Sequence, residues 1–481
     1  MFWRGVIGYL PANLVQGLVG LLSIVLFTRL LSPQAYGAYA LAFSVTTLVH
    51  TIVFTWLEAA MARFWAREAE GNRLPDHFAT LLRLFLVLAA GLVATAAVVL
   101  WLAPIAQPMK LAIGAGLLAT PIRSLAKLAQ EHRRAAGRVR ASATLDMAQT
   151  GGAFLIGAAL AAMGAGGAAP LIGAGAAAAL CLVFVLPGEI KGAAHGRFQP
   201  DRAGDYAHYG VPVALSLILS LALATTDRFM LAVFLDPASV GVYHAGYSLS
   251  NRTLDVLFIW LGAAGGPAAI AAFERGGREA LARSAREQAS LMLLICLPAA
   301  VGLALVARPL AQLMVGEGLR AGAAQVTPWI ALSGFFGGVT TYYFHTAFTL
   351  ARRTRLLLAA MAIPAGVNLV LTFVLIPRYG LNGAVWATAA SYAIGAVASW
   401  ALGRTVMPLP VPFTALARCG IAAAGMALAV SLVPASGGLA ELAGKAAVGL
   451  AVYAALAFAL NAAGVRSHGT RLVRSLQGAA A

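Results

Sequence analysis

The sequence has 481 residues, of which 60% are hydrophobic and only 11% are charged. Soluble domains carry about 25% charged residues, so this composition excludes a water-soluble fold and requires lipid as the solvent for most of the chain. The formal net charge of +17 would suggest nucleic-acid binding in a soluble protein. In a membrane protein the placement of those charges matters more than their sum, and we expect no nucleic-acid partner.

Apolar runs of helical length follow one another along the whole chain. Spans in a bilayer are helices or closed barrels, because unpaired backbone amides are costly in hydrocarbon. The runs here are near the length of about 20 residues that a membrane helix needs, whereas barrel strands are shorter and alternate in polarity. The sequence therefore predicts an all-α integral membrane protein with about 14 transmembrane helices, at 6–29, 37–60, 79–103, 109–129, 143–163, 169–188, 209–235, 240–264, 288–308, 325–350, 356–376, 383–403, 413–433 and 441–462.

The segments that connect these helices are alternately rich and poor in lysine and arginine. With the N-terminus in the cytoplasm, 26 of the 34 basic residues lie in cytoplasmic segments and 6 lie in outer segments. Basic residues concentrate on the cytoplasmic side of membrane proteins. The sequence therefore predicts a multi-pass protein with both termini in the cytoplasm.

The chain repeats itself near its middle. The segment SPQAYGAYALAFS (32–44) aligns with DPASVGVYHAGYS (236–248) at a constant offset of 204. A weaker match relates 163–179 to 378–393. Tandem repeats with an even number of helices keep the same orientation in a membrane and are typical of transporters. We therefore predict two six-helix bundles, related by a pseudo-two-fold axis along the membrane normal, plus two C-terminal helices.

This repeat sets the expected domains. They are an N-terminal bundle at 1–190, a cytoplasmic linker at 191–208, a C-terminal bundle at 209–405, and helices 13 and 14 with a cytoplasmic tail at 406–481. The sequence has no P-loop, HExxH or G-x-S-x-G motif, and its three cysteines are isolated in apolar segments. We therefore predict no enzymatic activity, no cofactor and no bound metal.

Three segments resemble one known family. The opening GYLPANLVQGLVGLLSIVLFTRLLSPQAYGAYALA resembles the start of bacterial polysaccharide flippases of the O-antigen type. The segment TTDRFMLAVFLDPASVGVYHAGYSLS is similar to helices seven and eight of that family, and NLVLTFVLIPRYGLNGAVWATAASY (368–392) to a third signature. Because the segments lie in the first, middle and last thirds, the resemblance covers essentially the whole chain.

The resemblance implies both a fold and a function. The family belongs to a superfamily with the multidrug and toxin extruders and the peptidoglycan lipid flippases, which share a V-shaped pair of bundles. It implies export of undecaprenyl-pyrophosphate-linked oligosaccharides across the bacterial inner membrane by alternating access. It also implies membrane lipid, and polymerase and chain-length proteins of polysaccharide assembly, as partners.

Ionisable and polar residues within the spans are the candidates for a substrate site. A pyrophosphate crossing an apolar slab needs a hydrated cationic cavity, and arginine binds phosphate in a bidentate manner. Charged groups inside membranes are costly and often functional. The substrate-binding candidates are Arg228, Arg252, Asp227, Asp255, Arg63, Arg123, Lys127, Glu58, Asn13 and Asn368, and the ion-coupling candidates are Asp227, Asp146 and His345.

Each candidate also has a structural explanation. Asp227 with Arg228, and Arg252 with Asp255 three residues later, could form ion pairs that only brace helices seven and eight. Arg63, Arg123 and Lys127 could extend to the membrane interface, as long basic side chains do. A histidine such as His345 commonly hydrogen-bonds across helices, and Asp146 could pair with a loop arginine instead of serving as a proton site. Asn13 and Asn368 fit either polar contacts between helices or a cavity wall.

Three other functions remain open at this point. A drug or metabolite exporter of the same superfamily is the second transporter hypothesis, although such extruders usually have twelve helices. A membrane enzyme of polysaccharide assembly would need a sizeable outer loop, and no outer loop here exceeds roughly 20 residues. A non-transporting member of the superfamily in envelope assembly is the third.

Overall fold

The computed structural model describes the backbone of residues 2–466 and the side chains from Pro11 onward. The predicted tail beyond residue 466 lies outside this range. The elements within it are helical: α1 (Phe2–Leu30), α2 (Pro33–Val53), α3 (Thr55–Glu70), α4 (Leu74–Leu102), α5 (Gln107–Ala135), α6 (Val139–Ala162), α7 (Ala169–Ala193), α8 (Pro200–Phe234), α9 (Pro237–Leu305), α10 (Ala307–Met314), α11 (Glu317–Val339), α12 (His345–Leu350), α13 (Thr354–Tyr379), α14 (Leu381–Arg404), α15 (Phe413–Ser431) and α16 (Gly438–Ala459).

The helices confirm an all-α multi-pass membrane protein. Within residues 2–466, twelve helices are long and apolar enough to cross a membrane. One of them, the 69-residue α9, is broken at Gly276 and Gly277, where φ of Gly277 is +61°. Counting its two arms separately and adding α11, which continues through a π-helical turn at Thr340–Phe344 into α12, gives the fourteen predicted helices. The second predicted helix is longer than expected, because α3 continues α2 after a kink at Phe54.

The helices form two compact units, Met1–His244 and Ala245–Ala481. Helix α8 belongs to the first unit, where it packs against α2 and α3. The chain before α8 and the first turn of α8 are held there as well, because the Arg197 amide donates to the Asp76 carboxylate (2.8 Å) and Arg202 of α8 pairs with the buried Glu68 (3.4 Å). The domain boundaries expected from the repeat, with a linker at 191–208, stay a prediction.

The repeat has a direct structural counterpart at the starts of α2 and α9. Ser32 caps α2 by accepting from the Ala35 amide (3.2 Å), and Asp236 accepts from the Ser239 amide (2.9 Å), at the same offset of 204. The two helix starts also touch reciprocally: a Cβ on Gly37 would collide with the Pro237 carbonyl, and one on Gly241 would lie 2.7 Å from the Pro33 carbonyl oxygen. Glycine at both positions therefore allows this backbone contact.

Candidate functional site

A polar cavity of about 500 Å³ lies inside the first unit, among α1, α2, α5, α6 and α7. We call it the N-terminal cavity. Tyr39 and Phe43 of α2 form an aromatic part of its wall. Its polar lining consists of Gln16, Ser23, Thr46, Thr47, His50, Thr120, Arg123, Lys127, Gln130, Asp146, Gln149 and Thr150.

The cations of this cavity come from one face of α5. Thr120, Arg123, Lys127 and Gln130 recur at helical spacing, and all four line the cavity. Lys127 donates to the Gln130 side chain (3.1 Å) and lies 4.0 Å from Glu131. Arg123 forms no ion pair with any carboxylate in the described part of the chain. The cavity lining therefore includes a guanidinium and an ammonium group of a helix long and apolar enough to cross a membrane.

The lining of the same cavity also includes a carboxylate, that of Asp146. Asp146 of α6 accepts a hydrogen bond from the Gln16 side chain of α1, so the acid is held by an amide rather than by a loop arginine. His50 of α2 lies between Ser124 (2.7 Å from Nδ1) and Glu58 (3.3 Å from Nε2). The fold thus brings Arg123, Lys127 and Asp146 to one cavity. Glu58 does not line the cavity itself but contacts His50, which does.

A second, smaller polar cavity of about 210 Å³ lies in the second unit, and we call it the C-terminal cavity. Its lining is aromatic and polar, with Tyr247, Asn251, Asp255, Ser333, Thr341, Tyr342 and Tyr392. The Asn251 amide donates to the Asp255 carboxylate. The expected ion pair between Arg252 and Asp255 is not formed: Arg252 is exposed, and adjacent turns of the helix place Asn251 against the acid instead.

Glycines and a π-helical turn shape this second cavity. Gly334, Gly337 and Gly338 of α11 line it, and a Cβ on Gly337 would lie 2.7 Å from Cε1 of Tyr392. The following turn, Thr340–Phe344, is a π-helix that supplies Thr341 and Tyr342. The Tyr342 carbonyl accepts from the Gln288 side chain (3.1 Å). Single π-helical turns are rare and frequently occur at functional sites.

Asp227 and Arg228 lie in neither cavity. Asp227 is fully buried and accepts a hydrogen bond from the Tyr243 hydroxyl (2.7 Å). Arg228 is 5% exposed and donates to the Ser44 hydroxyl of α2 (3.3 Å). Both hydrogen bonds join neighbouring helices within the first unit, so these contacts are of the bracing kind. Substrate and ion-coupling roles for the pair stay predictions.

The remaining candidates are dispersed. Arg63 is exposed, with its guanidinium 5.9 Å from the Tyr209 ring centre, and Asn13 is exposed on α1. Asn368 is fully buried in α13. His345 begins α12, with Nε2 3.4 Å from the Ser399 hydroxyl. None of these four residues lines either cavity.

Sequence reasoning missed most of the polar lining. Gln130, Gln149, Thr46 and Thr47 are uncharged and were not singled out, although on α2 and α5 such residues recur on one helical face. The three cavity tyrosines carry no comparable signal. The aromatic cavity depends on a π-helical turn and on helix packing, which spacing within one helix does not encode.

Solved structures of similar fold are a flippase and transporters. The inward closed conformation of the lipid II flippase MurJ matches with a TM-score of 0.77 at 14% identity, covering 95% of this chain and 99% of that one. An inward-facing multidrug resistance transporter of the MATE family, from the MOP superfamily, matches at 0.63 with 16% identity, covering 81% and 94%. A MOP superfamily transporter from Pyrococcus furiosus matches at 0.53 with 14% identity, covering 83% and 92%.

These identities establish the fold alone. No curated protein matches the chain by sequence. A family model described as "Polysaccharide biosynthesis protein" matches residues 26–320, which is more than half of the chain and includes the parts of α2, α5, α6 and α7 that line the N-terminal cavity. This all-helical membrane protein, with the fold of MurJ and the MATE transporters, belongs to the polysaccharide biosynthesis protein family.

Proposed function

We propose that the protein is a flippase. It moves a polyprenyl-pyrophosphate-linked oligosaccharide from the cytoplasmic to the outer face of the bacterial inner membrane by alternating access. The observation that carries this proposal is the N-terminal cavity, where Arg123 and Lys127 face a polar space inside the membrane-spanning part of a polysaccharide biosynthesis family member.

The chemistry of the cavity suits a pyrophosphate headgroup. Two cations one helical turn apart bind the two phosphates of such a group, and the guanidinium of Arg123 stays charged where dielectric is low. The amides and hydroxyls around them replace the water that the phosphates and sugars leave behind. The polyprenyl chain is apolar and can stay in the surrounding lipid, so it needs no polar lining.

Asp146 supplies the group for ion coupling. Asp146 lies in the same cavity as the two cationic side chains. Protonation of its carboxylate, or binding of a cation to it, therefore changes the net charge of the lining around the pyrophosphate. The nucleotide-binding motifs of ATP-driven pumps are missing from the sequence, which leaves an ion gradient or consumption of product outside as the driving force.

Deleting the gene tests this function. The expected result is loss of the surface polysaccharide and accumulation of lipid-linked repeat units facing the cytoplasm. Complementation with the wild type and with Arg140→Ala, an exposed arginine of α6, should restore the polymer, whereas Arg123→Ala should not. Intact surface glycan in the deletion strain would refute the flippase, and unpolymerised units on the outer face would point to an enzyme of assembly.

A drug or metabolite exporter is the second candidate, favoured by the fold shared with multidrug resistance transporters. The same deletion strain separates the two. An exporter predicts unchanged glycan and increased sensitivity to cationic drugs. The basic face of α5 argues against organic cations as substrates of the N-terminal cavity, because like charges repel in a low dielectric.

A further inference from the structure

We propose that the C-terminal cavity is a subsite for one sugar ring of the lipid-linked glycan. The inference rests on the proposed function and adds a recognition element to it. The cavity lies wholly within the second unit and is lined by Tyr247, Tyr342, Tyr392, Asn251 and Asp255.

The aromatic walls match the faces of a pyranose. A sugar ring presents C–H bonds on its faces, which pack against aromatic side chains, and hydroxyls at its edge. Tyr342 is held firmly for this task, because its ring stacks on Phe258 at 6.2 Å and an interplanar angle of 11°. Tyr392 packs directly against the backbone of Gly337, where any Cβ would displace it.

The polar groups match the edge of a pyranose. A carboxylate and an amide side by side accept from and donate to neighbouring hydroxyls, and the Asn251–Asp255 hydrogen bond holds the pair in place. Thr341 adds a further hydroxyl to the lining. A tyrosine-and-carboxylate cavity also suits an organic cation. Here Arg252 directly follows Asn251 and lies three residues before Asp255, and its positive charge opposes binding of a cation, so the uncharged sugar is the better fit.

The size limits the ligand to one ring. The volume of about 210 Å³ is below the roughly 300–1,000 Å³ of sites for drug-sized molecules. Gly334, Gly337 and Gly338 of α11 line the space together with residues of the π-helical turn. Glycine inside a helix is destabilising and π-helical turns are rare.

Binding of matched lipids to the purified full-length protein tests the subsite. The probes are undecaprenyl diphosphate alone and the same lipid carrying glucose, galactose or N-acetylglucosamine. We expect at least one sugar-bearing lipid to bind about tenfold more tightly than the bare lipid. A tenfold ratio of dissociation constants is what the contacts of one sugar ring with the cavity should contribute. Tyr392→Leu and Asn251→Ala should each remove most of that ratio. Tyr379→Leu, at an exposed tyrosine of the same unit, should keep it.

The outcomes separate the subsite from the flippase. Equal binding of bare and sugar-bearing lipids by the wild type overturns the subsite and leaves the flippase standing. Failure of all four lipids to bind overturns both. Asp255→Asn keeps the hydrogen-bonding shape of the side chain and removes its charge. The affinity ratio of sugar-bearing to bare lipid in this variant should therefore stay within about threefold of the wild-type ratio. Binding of tetraethylammonium that Asp255→Asn abolishes, with no effect of sugar, would replace the subsite by a cation site.

Discussion

The two cavities use equivalent positions of the repeat for different chemistry. At the offset of 204, Phe43 and Thr47 of the N-terminal cavity correspond to Tyr247 and Asn251 of the C-terminal cavity, so the same helical face lines both. The N-terminal cavity then adds a basic face from α5. The C-terminal cavity instead adds tyrosines, glycines and a π-helical turn. The aligned positions share one helical face, and the neighbouring helices give each cavity a different lining.

Reversing the charge of the N-terminal cavity should have the largest effect. Arg123→Glu places a carboxylate in the same cavity as Asp146, so binding of undecaprenyl diphosphate should weaken about 100-fold or more. The measurement is the dissociation constant of the bare lipid for the purified protein. Arg140→Glu, at an exposed position, is the matched control and should bind as the wild type does. Equal binding by both variants would remove Arg123 from the headgroup site.

Breaking the contact between the two repeat segments should cost stability rather than affinity. In Gly37→Ala the new Cβ meets the Pro237 carbonyl, and the backbone must move, which costs about 1–3 kcal/mol of unfolding free energy. Gly17→Ala is the matched control, because no atom lies within 4 Å of its Cβ. Thermal unfolding of both variants in the same detergent tests this. A Gly37→Ala protein as stable as its control would show that glycine is not required there.

A methyl group in the C-terminal cavity should change sugar recognition alone. In Gly337→Ala the new Cβ lies 2.7 Å from the present position of Tyr392, so that ring must shift. The preference for sugar-bearing over bare lipid should fall by about fivefold to tenfold, while binding of the bare lipid stays unchanged. Gly366→Ala on α13 has no atom within 4 Å and should leave both values as in the wild type. A fall in bare-lipid binding would mean that the two cavities are not separate in function.

Neutralising the acid of the N-terminal cavity should give the smallest effect on binding and a selective effect on coupling. Asp146→Asn retains an oxygen that can accept from Gln16 and removes the titratable group. Lipid binding should change by less than about threefold, since the two cations remain. Translocation in proteoliposomes should lose its acceleration by an imposed proton or sodium gradient. A gradient response equal to that of the wild type would exclude Asp146 as the coupling group.

The charged part of the candidate site can be predicted from the sequence. Charged residues inside apolar runs are conspicuous in a sequence, and three of them, Arg123, Lys127 and Asp146, line one cavity. Asp227 and Arg228 were equally conspicuous, yet they contact Tyr243 and Ser44 within packed helices. A charge in an apolar run shows that a partner is needed, but it does not distinguish a ligand from another side chain.

The sequence by itself determined the membrane fold, the fourteen helices and the repeat. These follow from composition, the length of apolar runs and internal similarity, which are read along the chain. Only the tertiary structure decided which polar residues share a cavity. Gln16 donates a hydrogen bond to Asp146, which is 130 residues away in the sequence, and Arg228 donates to Ser44, which is 184 residues away. Helix packing brings these residues together, and local periodicity does not specify that packing. The division into a basic cavity and an aromatic cavity arises from that packing.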